Sequence, residues 1–87
     1  MAAMQTIEYT SHRAELGWRI RRLREEQGLS TRKFSLMVGV SRTHLLALES
    51  GESSPTFDML ERISAGLGVT PAQLVNFSVE FDHIKLM

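Results

Sequence analysis

The sequence predicts a small all-α domain of five helices followed by a C-terminal extended tail with β-like alternation, and three observations predict it. Apolar residues recur at spacings of three and four along most of the chain. A serine or threonine stands immediately before four of the five periodic segments, where its side-chain oxygen can cap the first free amides of a helix. A glycine follows four of them, which is how helices commonly stop. Eighty-seven residues, 43% of them apolar, supply one compact core and not two.

The segments follow in order. From Ala14 to Gln27, Leu16, Ile20 and Leu23 share one face with Arg19, Arg21, Arg22, Glu25 and Glu26 between them, which predicts an amphipathic helix stopped by Gly28. Ser30 caps a segment of barely two turns that carries Phe34 and Val38 and ends at Gly39. Ser41 caps a third in which Leu45 and Leu48 point inward, closed by Gly51. The loop GESSPT leads to Thr56, the cap of a fourth helix with Phe57, Leu60, Ile63 and Leu67 on one face and a propensity-weakening Gly66 inside it. Thr70, Pro71 and Gln73 form a capping box with proline at the first helical position, the start of a short fifth helix. Beyond it Val75, Phe77, Val79 and Phe81 alternate with Asn76, Ser78, Glu80 and Asp82 at the period of a half-buried strand. The expected organisation is an N-terminal arm over residues 1–10, one domain over 11–76 and a tail over 77–87.

Several functions are excluded by composition. There is no cysteine, hence no disulfide and no thiolate site, and His12, His44 and His83 lack any metal-ligand spacing. Neither a glycine-rich phosphate loop nor a nucleophile-and-base signature occurs, and so short a helical chain leaves little room for an enclosed pocket; no enzyme activity, cofactor, metal or small-molecule ligand is expected. No run of 18 apolar residues and no signal-peptide pattern is present, so a cytoplasmic protein without membrane contact is expected. The net charge of zero hides an asymmetry: residues 1–44 hold eight Lys/Arg against four Asp/Glu, and residues 45–87 two against six. That basic half suits either a polyanion or an ordinary solvated face.

The stretch LSTRKFSLMVGVSRTHLLALESG, residues 29–51, resembles the helix-turn-helix of the Xre/Cro-like repressor family, and residues 16–75 follow that family's five-helix order. Physical features run alongside the likeness. Gly39 sits where two helices must turn tightly, Ser35 is small where they cross, and Leu45 is an apolar anchor. The resemblance implies a transcriptional regulator, a repressor or autoregulator, that binds double-stranded DNA as a homodimer with the third helix in the major groove; it also allows antitoxin or restriction-modification control. It implies base contacts from Arg42, Thr43 and Ala47, with Leu46 on the same arc of the helix. Arginine can fork onto guanine, threonine can bond a base edge or touch a thymine methyl, and alanine can pack on that methyl. Thr31 and Ser50 match the family's phosphate-contacting positions, although Gln and Asn are commoner there. Arg32, one position on, is either a compensating phosphate contact or a surface charge, and Ser53 completes the candidate phosphate set. Arg24 and Glu49 match a pair that ties the first helix to the end of the third.

The chain also departs from that pattern. Leu36, Met37 and Leu46 stand at usually polar positions, and the loop ESSPT has an acidic residue where a cation often meets phosphate, so non-specific DNA affinity should be modest. Leu46 is open to three readings: a thymine-methyl contact, a protein contact, or a scattered exposed leucine. A second function therefore stands beside the first, a protein-binding module on the same fold with Leu36, Met37 and Leu46 in an apolar contact surface. The tail VNFSVEF suggests pairing with its mate in a second subunit or with the N-terminal TIEYT; alternatively, Phe77 simply packs beneath the fifth helix.

Overall fold

The computed structural model describes residues 11–77, and within them the chain is all-helical. The helices are α1 (His12–Glu26), α2 (Thr31–Val38), α3 (Arg42–Glu49), α4 (Phe57–Leu67) and α5 (Pro71–Leu74). Each begins on a hydroxyl cap: Ser30 Oγ accepts from Lys33 N at 3.0 Å, Ser41 Oγ from His44 N at 3.1 Å, and Thr56 Oγ1 from Met59 N at 3.2 Å. Thr70 and Gln73 close both arms of a capping box, at 3.0 and 2.8 Å. A fifth cap, Ser11 on Ala14 N, starts α1 two residues before the first position its apolar periodicity suggests. Between α2 and α3 the backbone reverses at Gly39 with φ 70°, a left-handed conformation that costs glycine no Cβ clash.

The core gathers one stripe from each helix: Leu16 and Ile20 from α1, Phe34 and Val38 from α2, Leu45 and Leu48 from α3, Met59, Ile63 and Leu67 from α4, and Leu74 from α5, with Val40 from the turn. Phe57 is not among them. The inward face of α4 runs at intervals of four through Met59, Ile63 and Leu67, and Phe57 lies two positions before Met59, about 200° round the helix, where it stays 66% exposed.

Two glycines inside helices mark where helices touch most closely. A Cβ on Gly17 of α1 would collide with Leu48 O and come within 2.7 Å of Glu49 O, so α1 lies against the backbone of the last turn of α3. A Cβ on Gly66 of α4 would come within 2.5 Å of Val38 Cγ1, so the residue that weakens α4 locally is also what lets α2 pack on it.

The end of the described chain is held by charge and not by strand pairing. Arg19 Nη1 donates to Leu74 O at 3.1 Å and Asn76 O at 2.9 Å, with a longer contact to Gln73 O, while Nη2 meets the buried Glu15 carboxylate at 3.0 Å. Phe77 stacks on the His12 ring at 4.6 Å between centroids, beneath the Arg19 guanidinium. Val75 caps α5 and Phe77 belongs to this cluster, so the alternation that suggests a strand from Val75 onward is not realised in these two residues. Within the alternating stretch the one carbonyl that Arg19 bonds is Asn76 O. Val79, Phe81 and TIEYT lie outside the described residues.

The Gly17 contact has a measurable consequence. Alanine is the better helix former by about 1 kcal/mol, but here its methyl meets backbone that cannot rotate away. Gly17→Ala should lower unfolding free energy in urea by about 1 to 3 kcal/mol. A gain in stability would show that α1 and α3 do not approach this closely.

Candidate nucleic-acid interface

The short helix α3 offers two unlike faces. Leu45 and Leu48 are buried beneath it, while Arg42, Thr43 and Leu46 are exposed and Ala47 is half-buried. Arg42 Nε donates to Thr31 Oγ1 at 3.0 Å, joining the first turn of α3 to the first turn of α2. That bond spends neither Nη1 nor Nη2, the two groups a guanidinium needs to fork onto a guanine edge or a phosphate. Thr31 acts as acceptor in it and keeps its own hydroxyl proton. Arg32 is exposed on the next position of α2.

Beside these residues lies an open groove of about 430 Å³ lined by Thr31, Arg42, Leu46 and Ser50 from the α2–α3 side and by Arg21, Arg24 and Glu25 from α1, with Glu49 at its floor. Leu46 is thus a groove residue. Leu36 and Met37, 76% and 51% exposed, are not part of this lining. A single apolar surface made of all three leucine and methionine side chains does not form in this groove.

At the far end of α3 the Arg24–Glu49 pair is fully engaged. Nε and Nη2 of Arg24 donate to the two Glu49 oxygens at 2.7 and 2.9 Å, Nη1 donates to Leu29 O at 2.6 Å, and both side chains are less than one-tenth exposed. The Glu49 hydrogen bond holds the guanidinium pKa above its ordinary value; burial opposes this, and the attraction of the Glu49 and Glu25 charges adds to it. The pair carries α1, the α1–α2 turn and the end of α3 as one unit, and it holds all three guanidinium nitrogens of Arg24 against protein acceptors.

The serines after α3 behave differently from the phosphate-facing roles that likeness implies. Ser50 Oγ donates to Ala47 O at 3.1 Å, so its proton is already used. Ser53 Oγ is buried with no hydrogen-bond partner among the described residues. The amides of residues 50 to 53 are also taken, by carbonyls of Leu46, Ala47 and Leu48. The physical reason is that the chain folds back over the C-terminal end of α3, where the amides of residues 50 to 53 and the Ser50 hydroxyl satisfy its open carbonyls.

Arg21 and Glu25, which the sequence marks only as part of the polar side of an amphipathic helix, are groove residues. A signal was available: Arg21, Arg24 and Glu25 are spaced i, i+3 and i+4, so whatever faces Arg24 faces all three. Among the described residues no group of three potential metal ligands comes together, and no helix is long and apolar enough to cross a membrane.

Two short helices joined through a left-handed glycine, the second lying across a bundle with its polar side outward, define a helix-turn-helix protein. The Helix-turn-helix family profile HTH_3 matches residues 20–74, and the chain belongs to that family, whose members are transcription regulators and not enzymes. It is similar to the control protein C.MunI of Mycoplasma sp., 36% identical over 59 residues, 67% of this chain and 80% of the relative. It is similar also to the HTH-type transcriptional regulator SinR of Bacillus licheniformis, 30% identical over 69 residues, 78% of this chain and 62% of the relative. Among solved structures, the hypothetical transcription factor NHTF from Neisseria superposes with TM-score 0.73 at 27% identity, covering 94% of this chain and 95% of that one.

The Arg24 network makes a double-mutant test decisive. Arg24→Ala strands a buried carboxylate and should cost about 3 to 5 kcal/mol, whereas Arg24→Met with Glu49→Leu removes both charges and should recover most of that loss. Denaturant unfolding of the single and double variants measures it; a single variant as stable as the parent would mean that the pair does not bind α1 to α3.

Proposed function

We propose that this chain is a sequence-specific, double-stranded-DNA-binding transcription regulator, a repressor or autoregulator, that reads the major groove of an operator with α3. The observation that carries the proposal is the Thr31–Arg42 hydrogen bond. It fixes the arginine at the entrance of α3 while sparing the two donors that match guanine O6 and N7. Thr43 and Ala47 follow on the same outward arc as candidates for base-edge and thymine-methyl contacts, and Leu46, 46% exposed in the groove, suits a methyl contact better than isolation in solvent. Thr31 and Arg32 are the stronger phosphate candidates at the start of α2; Ser50 would first have to release Ala47 O and Ser53 to turn its hydroxyl outward. Two-fold operators call for a dimer with one α3 per half-site, and we assign that arrangement to this chain. The regulator and control-protein names of its relatives support the same reading.

Selection of bound duplexes from a random pool tests it. The parent chain should enrich a palindromic consensus, and Arg42→Ala should lose about 1 to 3 kcal/mol of discrimination at one base per half-site. Thr31→Val, which keeps the shape and removes the acceptor, should blur the same position. Absence of any enriched sequence would overturn the regulator reading.

A second reading, a protein-partner surface, is favoured by one observation: Leu36 and Met37 are adjacent, large and exposed on α2. If they serve a partner, Leu36→Asp with Met37→Lys should leave operator affinity within about twofold while abolishing regulation in cells, as expected for surface changes outside the DNA contact. Loss of operator affinity in that variant would speak against a separate surface.

A further inference from the structure

We infer that Arg21 of α1 is a further contact to the DNA backbone phosphate, and that Glu25 competes with phosphate for it, so that this ion pair sets affinity without setting sequence. The inference rests on the DNA-binding reading above and concerns the α1 rim of the same groove.

The rim facing α3 presents three charged side chains, Arg21, Arg24 and Glu25. Arg24 is poorly placed for a phosphate, because its three nitrogens are held by Glu49 and Leu29 O and its side chain is only 7% exposed. The turn after α3 is less suited to one, since its amides bond to α3 carbonyls, the Ser50 hydroxyl donates to Ala47 O and Ser53 Oγ is buried. Arg21 is different. Its side chain is 61% exposed, and Glu25 engages it through Nε at 3.1 Å in an exposed pair one helical turn away. A strand of phosphates lying against Thr31 and Arg42 has Arg21 as the exposed cation on the opposite wall of the groove.

Glu25 gives the arrangement its second property. A carboxylate on the wall of a polyanion-binding groove repels the ligand, and by pairing with Arg21 through Nε it also offsets the positive charge that would draw the phosphate. When Arg21 turns to a phosphate, Glu25 is not left uncompensated, because Arg24 Nη2 lies 3.9 Å from it. The exchange therefore moves one arginine between two anions and disturbs nothing in the core. It also accounts for an acidic residue on a face otherwise suited to DNA.

A built-in comparison exists on the same helix. Arg22 and Glu26 form an ion pair of the same spacing, at 2.9 Å, with nearly the same exposure, 60% and 53%. They line a different groove, and Arg22 lies over the Trp18 ring at 5.2 Å.

The test measures binding of the full chain to its selected duplex and to a scrambled duplex between about 50 and 200 mM KCl, for the parent, Arg21→Gln, Glu25→Gln and Arg22→Gln. Arg21→Gln should flatten the log-log salt slope by about 0.9, so that the fourfold rise in salt costs it about 3.5-fold less affinity than it costs the parent. The flattening should be equal on both duplexes. Glu25→Gln should bind both more tightly than the parent, and Arg22→Gln should keep the parent slope. An unchanged slope in Arg21→Gln, equal flattening in Arg21→Gln and Arg22→Gln, or no gain in Glu25→Gln would each overturn the assignment while leaving DNA binding itself intact. A parent chain that binds neither duplex would overturn the DNA-binding reading and this inference with it.

Discussion

A helix of two turns does not persist in water by itself, because nucleation costs more than so few hydrogen bonds return. The outward-facing helix of this protein has eight residues, and every property of the candidate interface depends on something else holding it. Three devices do so. Leu45 and Leu48 anchor its underside in the core, the Arg24–Glu49 pair clamps its last turn to α1, and the missing side chain of Gly17 lets the α1 backbone lie directly against its final carbonyls. The first device is common to any amphipathic helix. The other two act at the same end of α3, which leaves the opposite end, with Arg42 and Thr43, to face outward from a rigid base.

The same logic of local satisfaction explains why some polar residues are available for a ligand and others are not. At the N-terminal ends of α2 and α3 the capping serines meet the backbone demand, and Thr31 and Arg42 bond to one another while keeping donors in reserve. At the C-terminal end of α3 the demand is for donors, and the following turn supplies them to Leu46, Ala47 and Leu48 from its amides and from Ser50. A helix end that presents carbonyls consumes nearby N–H and O–H groups, so the residues most able to serve an anion collect at the other ends and on the α1 rim.

Helix starts were legible in the sequence because a cap is a bond between residues three apart, and Ser30, Ser41, Thr56 and Thr70 each announce one; Ser11 escaped because no apolar period stands close enough behind it to mark it. Core positions were legible on α1 to α3 for the same reason of short range. On α4 the choice between Phe57 and Met59 turned on which arc of the helix the neighbours cover, and a spacing of three from Phe57 to Leu60 suits the wrong arc as well as Met59 to Ile63 suits the right one. The alternation from Val75 gave no sign that Arg19, more than fifty residues away in sequence, would bond Asn76 O, or that Phe77 would stack on His12; the rest of that stretch lies outside the described residues. For the candidate site, the wheel of α3 was enough to bring Arg42, Thr43, Leu46 and Ala47 to one arc, and the spacing of Arg21 and Glu25 from Arg24 put those three on one face of α1, whereas the inward turn of Ser53 had no local signature.

What the sequence determined alone is therefore the set of helices, every cap but Ser11 and the inward stripes of α1 to α3, each written in contacts between residues three or four apart that any folded arrangement of those helices would preserve. Tertiary structure decided which charges are spent and which remain: Arg24 locked to Glu49 across twenty-five positions, Arg19 locked to the end of α5, and Arg21 left on a groove wall with an exchangeable partner. The three are arginines on one helix with no difference in side-chain chemistry. Their fates differ because a guanidinium bonds to whatever acceptors the packing of neighbouring helices brings within about 3 Å of it, and that distance is set only when the core closes.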